Sequence, residues 1–475
     1  MYLLDETRTL IRKYGIRPKK SLGQNFCVDE TLLERMVAYS NLSKDDIVLE
    51  VGSGFGFLTR LISDAAKQVI AVELDPKLLK VLRDYVKDRE NIAVIQGDIL
   101  KVELPSFSKV VANLPYSIST PLVARLFERG FDLAVLTLQK EFAEKLTAQV
   151  GARDYGPLSV MAGYKADVEN LERLPRDAFY PPPRVESAVV LIKIRAPTFV
   201  VRDEKFFFEL VKHLFTQRNK KVGKPLESLL QKAMGVSKAE ARLITKVFSL
   251  ETRVYNMRPE DFGALSNKVY PVLNGKKLAF KGHSLYVFPE VYSSSEDTFL
   301  LAEHLDVREG EKVLDMGTGC GILGVLAAEK AVSVVAVDVN PYALECANFN
   351  AKLNNVAGKF ATVLSDLFNE FKSSDKFNLI IFNPPYLPVD ERLEPGEWIE
   401  RAWYGGPDGR VIIDRFIDGV SGHVEECGRI LMVQSSLSNP EKSVTRLREE
   451  GFDSNIVAEK ELFFEKIVVI LARNS

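Results

Sequence analysis

A strand, a glycine-rich turn and a second strand recur in this chain at a nearly constant offset. Ile47-Val-Leu-Glu50-Val-Gly52-Ser-Gly54-Phe-Gly56 is matched by Lys312-Val-Leu-Asp315-Met-Gly317-Thr-Gly319-Cys-Gly321. In each, glycines follow the carboxylate at +2, +4 and +6. A second apolar run follows, Gln68–Glu73 and Ser333–Asp338, and both end on a carboxylate 23 positions after the first. Third carboxylates stand at Asp98 and Asp366, and then come Asn113-Leu114-Pro115-Tyr116 and Asn383-Pro384-Pro385-Tyr386. The offsets are 265, 265, 268 and 270. Four signals in one order at one spacing predict the same domain twice.

Continuous apolar strands alternating with helical stretches indicate α/β domains, each a parallel sheet covered on both faces. Ligands of such sheets sit outside the carboxyl ends of the strands, where all four signals lie, so one pocket per domain is expected. With 475 residues the chain exceeds a single core. The expected division is a first domain over 1–195, a small helical appendage over 196–272, a linker over 273–282 centred on Asn274-Gly-Lys-Lys277, and a second domain over 283–475.

Composition narrows the setting. No apolar run approaches the roughly 20 residues of a membrane span, and Met1 to Lys20 lacks a signal-peptide core. Four scattered cysteines, Cys27, Cys320, Cys346 and Cys427, form no Cys-x-x-Cys pair. A reducing, cytoplasmic setting without a metal site is therefore expected. The net charge of −2 hides an asymmetry: residues 1–275 hold 42 Lys and Arg against 34 Asp and Glu, a net +8, and the remainder holds 21 against 31, a net −10. The basic half suits a phosphate-rich partner.

The turn selects among nucleotide cofactors. A dinucleotide fingerprint needs a glycine three positions after the second one, and those positions are Phe57 and Ile322. A G-x-G-x-G turn instead lets the backbone approach an uncharged nucleoside with an amino-acid tail, which points to S-adenosylmethionine, one per domain. Glu73 and Asp338 suit the ribose hydroxyls, Asp98 and Asp366 the adenine amine, and Glu50 and Asp315 the cationic methionine end. Any one such carboxylate is ordinarily a solvated strand end; three in register, twice, are not.

Asn113-Leu114-Pro115-Tyr116 and Asn383-Pro384-Pro385-Tyr386 carry the chemistry. The nitrogen of an adenine amine or a side-chain amide is a poor nucleophile because its lone pair is delocalised. A site assists by accepting both N–H bonds, one at the Asn oxygen and one at the carbonyl of Leu114 or Pro384. The following proline holds that residue extended, and the tyrosine ring stacks on the planar group. Positioning and electrostatics do the rest.

With these residues in place, the first half resembles the KsgA family of small-subunit rRNA adenine dimethyltransferases over nearly all of residues 15–265. The resemblance rests on Lys20-Ser-Leu-Gly-Gln-Asn25-Phe-Cys27-Val-Asp29, Ala71-Val-Glu73-Leu-Asp-Pro-Lys77, Gln139-Lys-Glu-Phe-Ala-Glu-Lys145 and Phe179-Tyr-Pro-Pro-Pro-Arg-Val-Glu-Ser-Ala188. It implies a class I Rossmann-like methyltransferase fold, Asn25 and Cys27 lining the cofactor site, and Phe179 stacking on the target base opposite Tyr116. Cys27 stands where the family usually has leucine. The related Erm enzymes share much of the motif set, but Asn-Leu-Pro-Tyr and Phe-Tyr-Pro-Pro-Pro favour KsgA. A target base in a ribosomal helix must be extruded or single-stranded. Lys212, Arg218, Lys220, Lys221 and Lys224 in the appendage are candidate phosphate contacts.

The second half resembles the HemK family of protein glutamine methyltransferases, in its archaeal and eukaryotic branch acting on class I release factors. Val291-Tyr-Ser-Ser-Ser-Glu-Asp-Thr-Phe-Leu300, Phe382-Asn-Pro-Pro-Tyr386 and Ala402-Trp-Tyr-Gly-Gly-Pro-Asp-Gly-Arg410 carry that resemblance. It implies that Asn383 and the Pro384 carbonyl hold the glutamine amide of a Gly-Gly-Gln loop, and that a small zinc-binding activator subunit partners the domain. Three other readings stand beside these: a ribosome-assembly factor with secondary methylation, a second half acting on nucleic-acid amines, and one catalytically silent half.

Overall fold

The computed structural model describes residues 3–19, 22–389 and 396–474. Lys20 and Ser21 of the amino-terminal motif lie outside them. Chain contacts divide it into two compact units, 1–226 with 251–267, and 227–250 with 268–475.

Each unit is built on a seven-stranded sheet. In the first the strands lie in the order Ile92–Gln96, Gln68–Glu73, Ile47–Val51, Lys109–Asn113, Leu133–Gln139, Ser187–Ile194, Ala166–Leu174. In the second the order is Phe360–Leu364, Ser333–Asp338, Lys312–Met316, Phe377–Phe382, Val424–Ser435, Lys466–Asn474, Phe452–Glu461. Numbered along each unit, both sheets read 3-2-1-4-5-7-6. The first five strands pair in parallel, and the seventh runs antiparallel to both its neighbours, the fifth and the sixth. The repeat seen in the sequence is thus a repeat of topology. Strand order reverses between the first and fourth strands, which opens a crevice at their carboxyl ends.

The apolar runs became central strands because both faces are covered. Val48, Leu49, Val69, Val110, Val111, Val313, Leu314, Ile380 and Ile381 are all essentially inaccessible. Glycine turns lead from first strand to first helix in both units. Gly52, Gly54 and Gly56 have φ of 72°, 58° and 92°, and Gly317, Gly319 and Gly321 have 64°, 55° and 83°, a conformation that side chains disfavour. The third glycine has a packing role as well. A Cβ on Gly56 would stand 2.8 Å from Leu82, and one on Gly321 2.8 Å from the Ala347 Cβ. The second helices start alike, with Asp75 and Asn340 capping Pro76–Tyr85 and Pro341–Leu353.

Two expectations change. The stretch 273–282, expected as a linker, holds a strand: Lys276–Phe280 pairs antiparallel with His283–Val287. Lys281 and Gly282 form the two-residue turn with φ of 45° and 83°, the positive pair a tight hairpin needs. The helical stretch 196–272, expected as one appendage to the first domain, is divided. Its helix Lys238–Val247 groups with the second unit, where Glu240 accepts a hydrogen bond from the Tyr286 hydroxyl at 2.9 Å and pairs with Lys277 at 2.6 Å. Among the described residues no helix is long and apolar enough to cross a membrane.

Candidate active sites

In the first unit a cavity of about 110 Å³ opens at the carboxyl ends of the strands. Gly52, Gly54, Glu73, Asp98, Asn113, Leu114, Pro115, Tyr116, Asn25 and Phe179 all line it. A cavity of about 390 Å³ occupies the corresponding place in the second unit. Gly317, Gly319, Asp338, Asp366, Asn383, Pro384 and Tyr386 line that one, with Trp398, Arg401, Trp403 and Tyr404 from the segment after the Asn-Pro-Pro-Tyr loop.

The carboxylates at the ends of the second strands are locked by backbone. Glu73 accepts from the Gly54 N–H at 2.9 Å and the Asp75 N–H at 2.8 Å. Asp338 accepts from Gly319 and Asn340 N–H, both at 2.9 Å. Burial raises both above the usual carboxylate range, against those hydrogen bonds. A carboxylate so held keeps lone pairs for a diol, as a ribose requires. The first glycine serves the neighbouring loop. A Cβ on Gly52 would lie 3.2 Å from the Pro115 ring, and one on Gly317 3.4 Å from Phe382 and 3.6 Å from the Asn383 carbonyl oxygen. A side chain at Gly52 would press on the Pro115 ring, one at Gly317 would meet its neighbours at ordinary contact, and at both the positive φ is what disfavours it. Backbone cradle, anchored carboxylate and apolar wall together fit S-adenosylmethionine in both cavities.

Glu50 and Asp315, expected at the cofactor's cationic end, stand beneath the turn instead. They are 2 % and 0 % exposed and line neither cavity. The Thr59 hydroxyl donates to Glu50 at 2.5 Å. The Thr318 hydroxyl donates to Asp315 at 2.6 Å and the Gly324 N–H at 3.0 Å. Burial pushes each carboxyl up to about 7, despite these bonds. As pH rises the unfolded chain therefore releases these protons first. The stability they contribute is full below the ordinary carboxylate pKa and is lost as pH climbs through about 7. Calorimetry of the cofactor-free protein from about pH 4.5 to 7.5 is expected to show a smaller fall in Tm for Glu50→Gln with Asp315→Asn than for the parent. Parallel profiles would exclude this assignment.

The two asparagines are oriented by different neighbours. Asn113 Oδ1 accepts from the Thr137 hydroxyl at 2.7 Å, Thr137 being its direct partner on the next parallel strand. Asn383 donates from Nδ2 to Asp297 Oδ2 at 3.1 Å and to Thr298 Oγ1 at 3.0 Å. Both amide hydrogens are thereby committed, which turns Oδ1 to the remaining side. The Tyr386 hydroxyl donates to the same Asp297 oxygen at 2.9 Å. Burial first, then Asp297, pushes that hydroxyl far above its usual range. Tyr116 shares a 2.5 Å hydrogen bond with Ser187, and burial raises its hydroxyl too. Thr137, Asp297 and Thr298 are not among the residues expected from sequence. Asp297 and Thr298 do lie in the Val291–Leu300 segment on which the resemblance rests.

The remaining candidates divide. Phe179 is buried and pairs across a two-residue ladder with Cys27. Cys27 itself does not line the cavity, and its thiol packs in the hydrophobic core, pushed up to about 12 by burial. Asp98 accepts from the Leu100 N–H at 3.0 Å, while Asp366 is paired with Arg415 at 2.8 Å. The cationic cluster lies at the end of helix Glu204–Phe215, on the turn after it and at the start of helix Gly223–Met234. Lys212 pairs with Glu128, Lys221 with Glu251 at 2.5 Å, and Arg218 donates to the Ala152 carbonyl at 3.1 Å. Lys220 and Lys224 are exposed. No group of three His, Cys, Asp or Glu among the described residues is arranged to hold a metal.

A parallel sheet with a G-x-G-x-G cradle and an Asn-x-Pro-Tyr loop at one crevice defines an S-adenosylmethionine-dependent methyltransferase, and this chain carries that arrangement twice. Residues 15–269 match the family described as ribosomal RNA adenine dimethylase, and residues 285–392 the methyltransferase small domain. The chain belongs to the ribosomal RNA adenine dimethylase family. It is 44 % identical over 263 residues to the probable ribosomal RNA small subunit methyltransferase A of Methanothermobacter thermautotrophicus, covering 54 % of this chain and 93 % of the relative. The crystal structure of a dimethyladenosine transferase from Plasmodium falciparum aligns at 25 % identity and TM-score 0.44, over 52 % of this chain and 96 % of that one. The Mtq2–Trm112 complex of E. cuniculi, responsible for methylation of the eRF1 translation termination factor, aligns at 26 % identity and TM-score 0.31, over 39 % and 99 %.

Proposed function

We propose that the first unit methylates the exocyclic N6 amine of adenines in small-subunit rRNA, two adjacent adenines each receiving two methyl groups. The second unit, in this reading, methylates a glutamine side-chain amide of a class I release factor. The observation that carries it is the Asn-x-Pro-Tyr loop beside each glycine cradle, with its asparagine side chain held by hydrogen bonds. The names of the curated relatives support the rRNA substrate. For the second unit the support is the motif set around 291–300, 382–386 and 402–410 and the net charge of −10, which repels nucleic acid but not protein.

One S-adenosylmethionine per unit supplies an electrophilic methyl group when bound. Gly52, Gly54, Glu73, Asp98 and Asn25 hold it in the first unit, and Gly317, Gly319, Asp338 and Asp366 in the second. Asn113 Oδ1 and the Leu114 carbonyl accept the two N–H bonds of the adenine amine, and Tyr116 and Phe179 hold the ring plane. Asn383 Oδ1, the Pro384 carbonyl and Tyr386 do the same for the amide. Acceptors placed at both hydrogens favour pyramidal nitrogen, and no strong base is needed because the proton leaves late. Lys212, Arg218, Lys220, Lys221 and Lys224 contact rRNA phosphates. The cytoplasm is where both substrates meet the protein, and a small zinc-binding activator subunit accompanies the second unit.

The full chain, incubated with methyl-labelled S-adenosylmethionine and either unmethylated small subunits or purified release factor, tests both halves. Digestion and mass spectrometry should find dimethyladenosine in rRNA and methylglutamine in the Gly-Gly-Gln loop. Label in rRNA but not in the release factor would sink the second assignment alone.

A further inference from the structure

The hairpin joining Phe452–Glu461 to Lys466–Asn474 carries an aromatic tip. Phe463 is 92 % and Phe464 86 % exposed, and the two rings meet edge to face at 4.6 Å. Adjacent exposed aromatics on a well-packed unit mark a contact surface. The tip is not a loose end. The Leu462 N–H donates to the Glu465 carbonyl at 2.8 Å, closing the turn. The Lys466 N–H donates to Ser436 Oγ at 3.0 Å. Lys460 pairs at 3.0 Å with Glu296, the residue before the Asp297 that orients Asn383. The hairpin is therefore tied to the segment that builds the second cavity.

Glu465 follows the phenylalanines. Its Oε2 is enclosed and accepts no hydrogen bond among the described residues. An oxygen enclosed in this way is out of reach of an incoming donor, so the surface this turn offers to a partner is its aromatic pair. Phosphate does not fit here, because Glu459, Glu461 and Glu465 outnumber Lys460 and Lys466 in this hairpin.

We propose that the 462–465 turn is the docking element through which the second unit grips its polypeptide substrate. An apolar side chain of the substrate, away from the target amide, packs on Phe463 and Phe464. This rests on the second unit being a polypeptide amide methyltransferase. Docking remote from the reacting nitrogen raises affinity without touching the chemical step.

Steady-state kinetics of the full chain with intact release factor, and with a short Gly-Gly-Gln peptide, test it. Phe463→Ser with Phe464→Ser should raise KM for the intact factor about 10-fold at unchanged kcat. The double variant should leave methylation of the short peptide and of rRNA unchanged. A parent chain that methylates the factor, with the double variant matching its KM, would overturn the docking role alone. A parent chain that leaves the factor unmethylated would overturn the underlying reading as well. Both phenylalanines are solvent-facing, so folding is not at stake, and an unchanged melting curve confirms it.

Discussion

Replacing Asn113 by alanine should reduce methyl transfer to small-subunit rRNA about 1000-fold while leaving the second activity intact. The substitution removes the side-chain oxygen that accepts an N–H bond from the adenine amine, and with it the alignment of the nitrogen. Loss of one preorganised polar group costs about 10²–10³ in rate in comparable sites, and loss of positioning adds to that. Cofactor affinity should change little, because Gly52, Glu73 and Asp98 are untouched and Glu73 keeps its two backbone donors. Thr137→Val is the graded companion. It deletes the 2.7 Å hydrogen bond that holds the Asn113 amide but leaves the amide present, so a loss of about 10-fold in kcat is expected. Single-turnover methylation of unmethylated small subunits, with calorimetric titration of S-adenosylmethionine, reads both. An Asn113→Ala chain that still dimethylates at the parental rate would refute the role given to this residue.

Signals local in the chain are legible in the amino-acid order itself. Three glycines at fixed steps, a carboxylate closing the next strand and an Asn-x-Pro-Tyr loop each follow from backbone requirements within a few residues. Their repetition reveals the tandem organisation, and both sheets share one strand order. What the sequence hides depends on which strands become neighbours. Thr137 reaches Asn113 only because two parallel strands place them side by side. Asp297 reaches Asn383 from 86 residues earlier. Glu50 and Asp315 are placed correctly on their strands, yet their side chains turn under the glycine loop to threonine hydroxyls, a direction that spacing does not encode. Cys27 likewise faces the core while its neighbours Asn25 and Phe26 line the cavity. The hairpin at Lys276–Val287 is masked because Asn-Gly-Lys-Lys reads as linker, whereas the turn is formed by Lys281-Gly282.

Asp297 yields the sharpest expectation for the second unit. It is 4 % exposed, and it survives burial because donors surround it. Oδ1 takes the Thr298 N–H at 2.7 Å and the Ser295 hydroxyl at 2.9 Å, and Oδ2 takes the Tyr386 hydroxyl and the Asn383 amide. One carboxylate therefore sets both the acceptor and the stacking ring. Asp297→Asn preserves shape but puts an NH2 group where an acceptor stood. It then faces either the Asn383 NH2 or the donors at Oδ1, and a donor against a donor forces a neighbouring group to turn. When Asn383 turns, its NH2 meets the N–H of the target amide, so the acceptor that aligns the nitrogen is lost. Transfer to the release factor should fall about 100-fold or more in kcat, with KM for the factor and affinity for S-adenosylmethionine within about threefold. Thr298→Val removes one of the two Asn383 acceptors and should cost about 10-fold. A purely structural role for Asp297 would instead lower the melting temperature and weaken both ligands together, so a fall in kcat at constant KM separates the two. If kcat of Asp297→Asn matched the parent, Asn383 would not owe its orientation to this carboxylate.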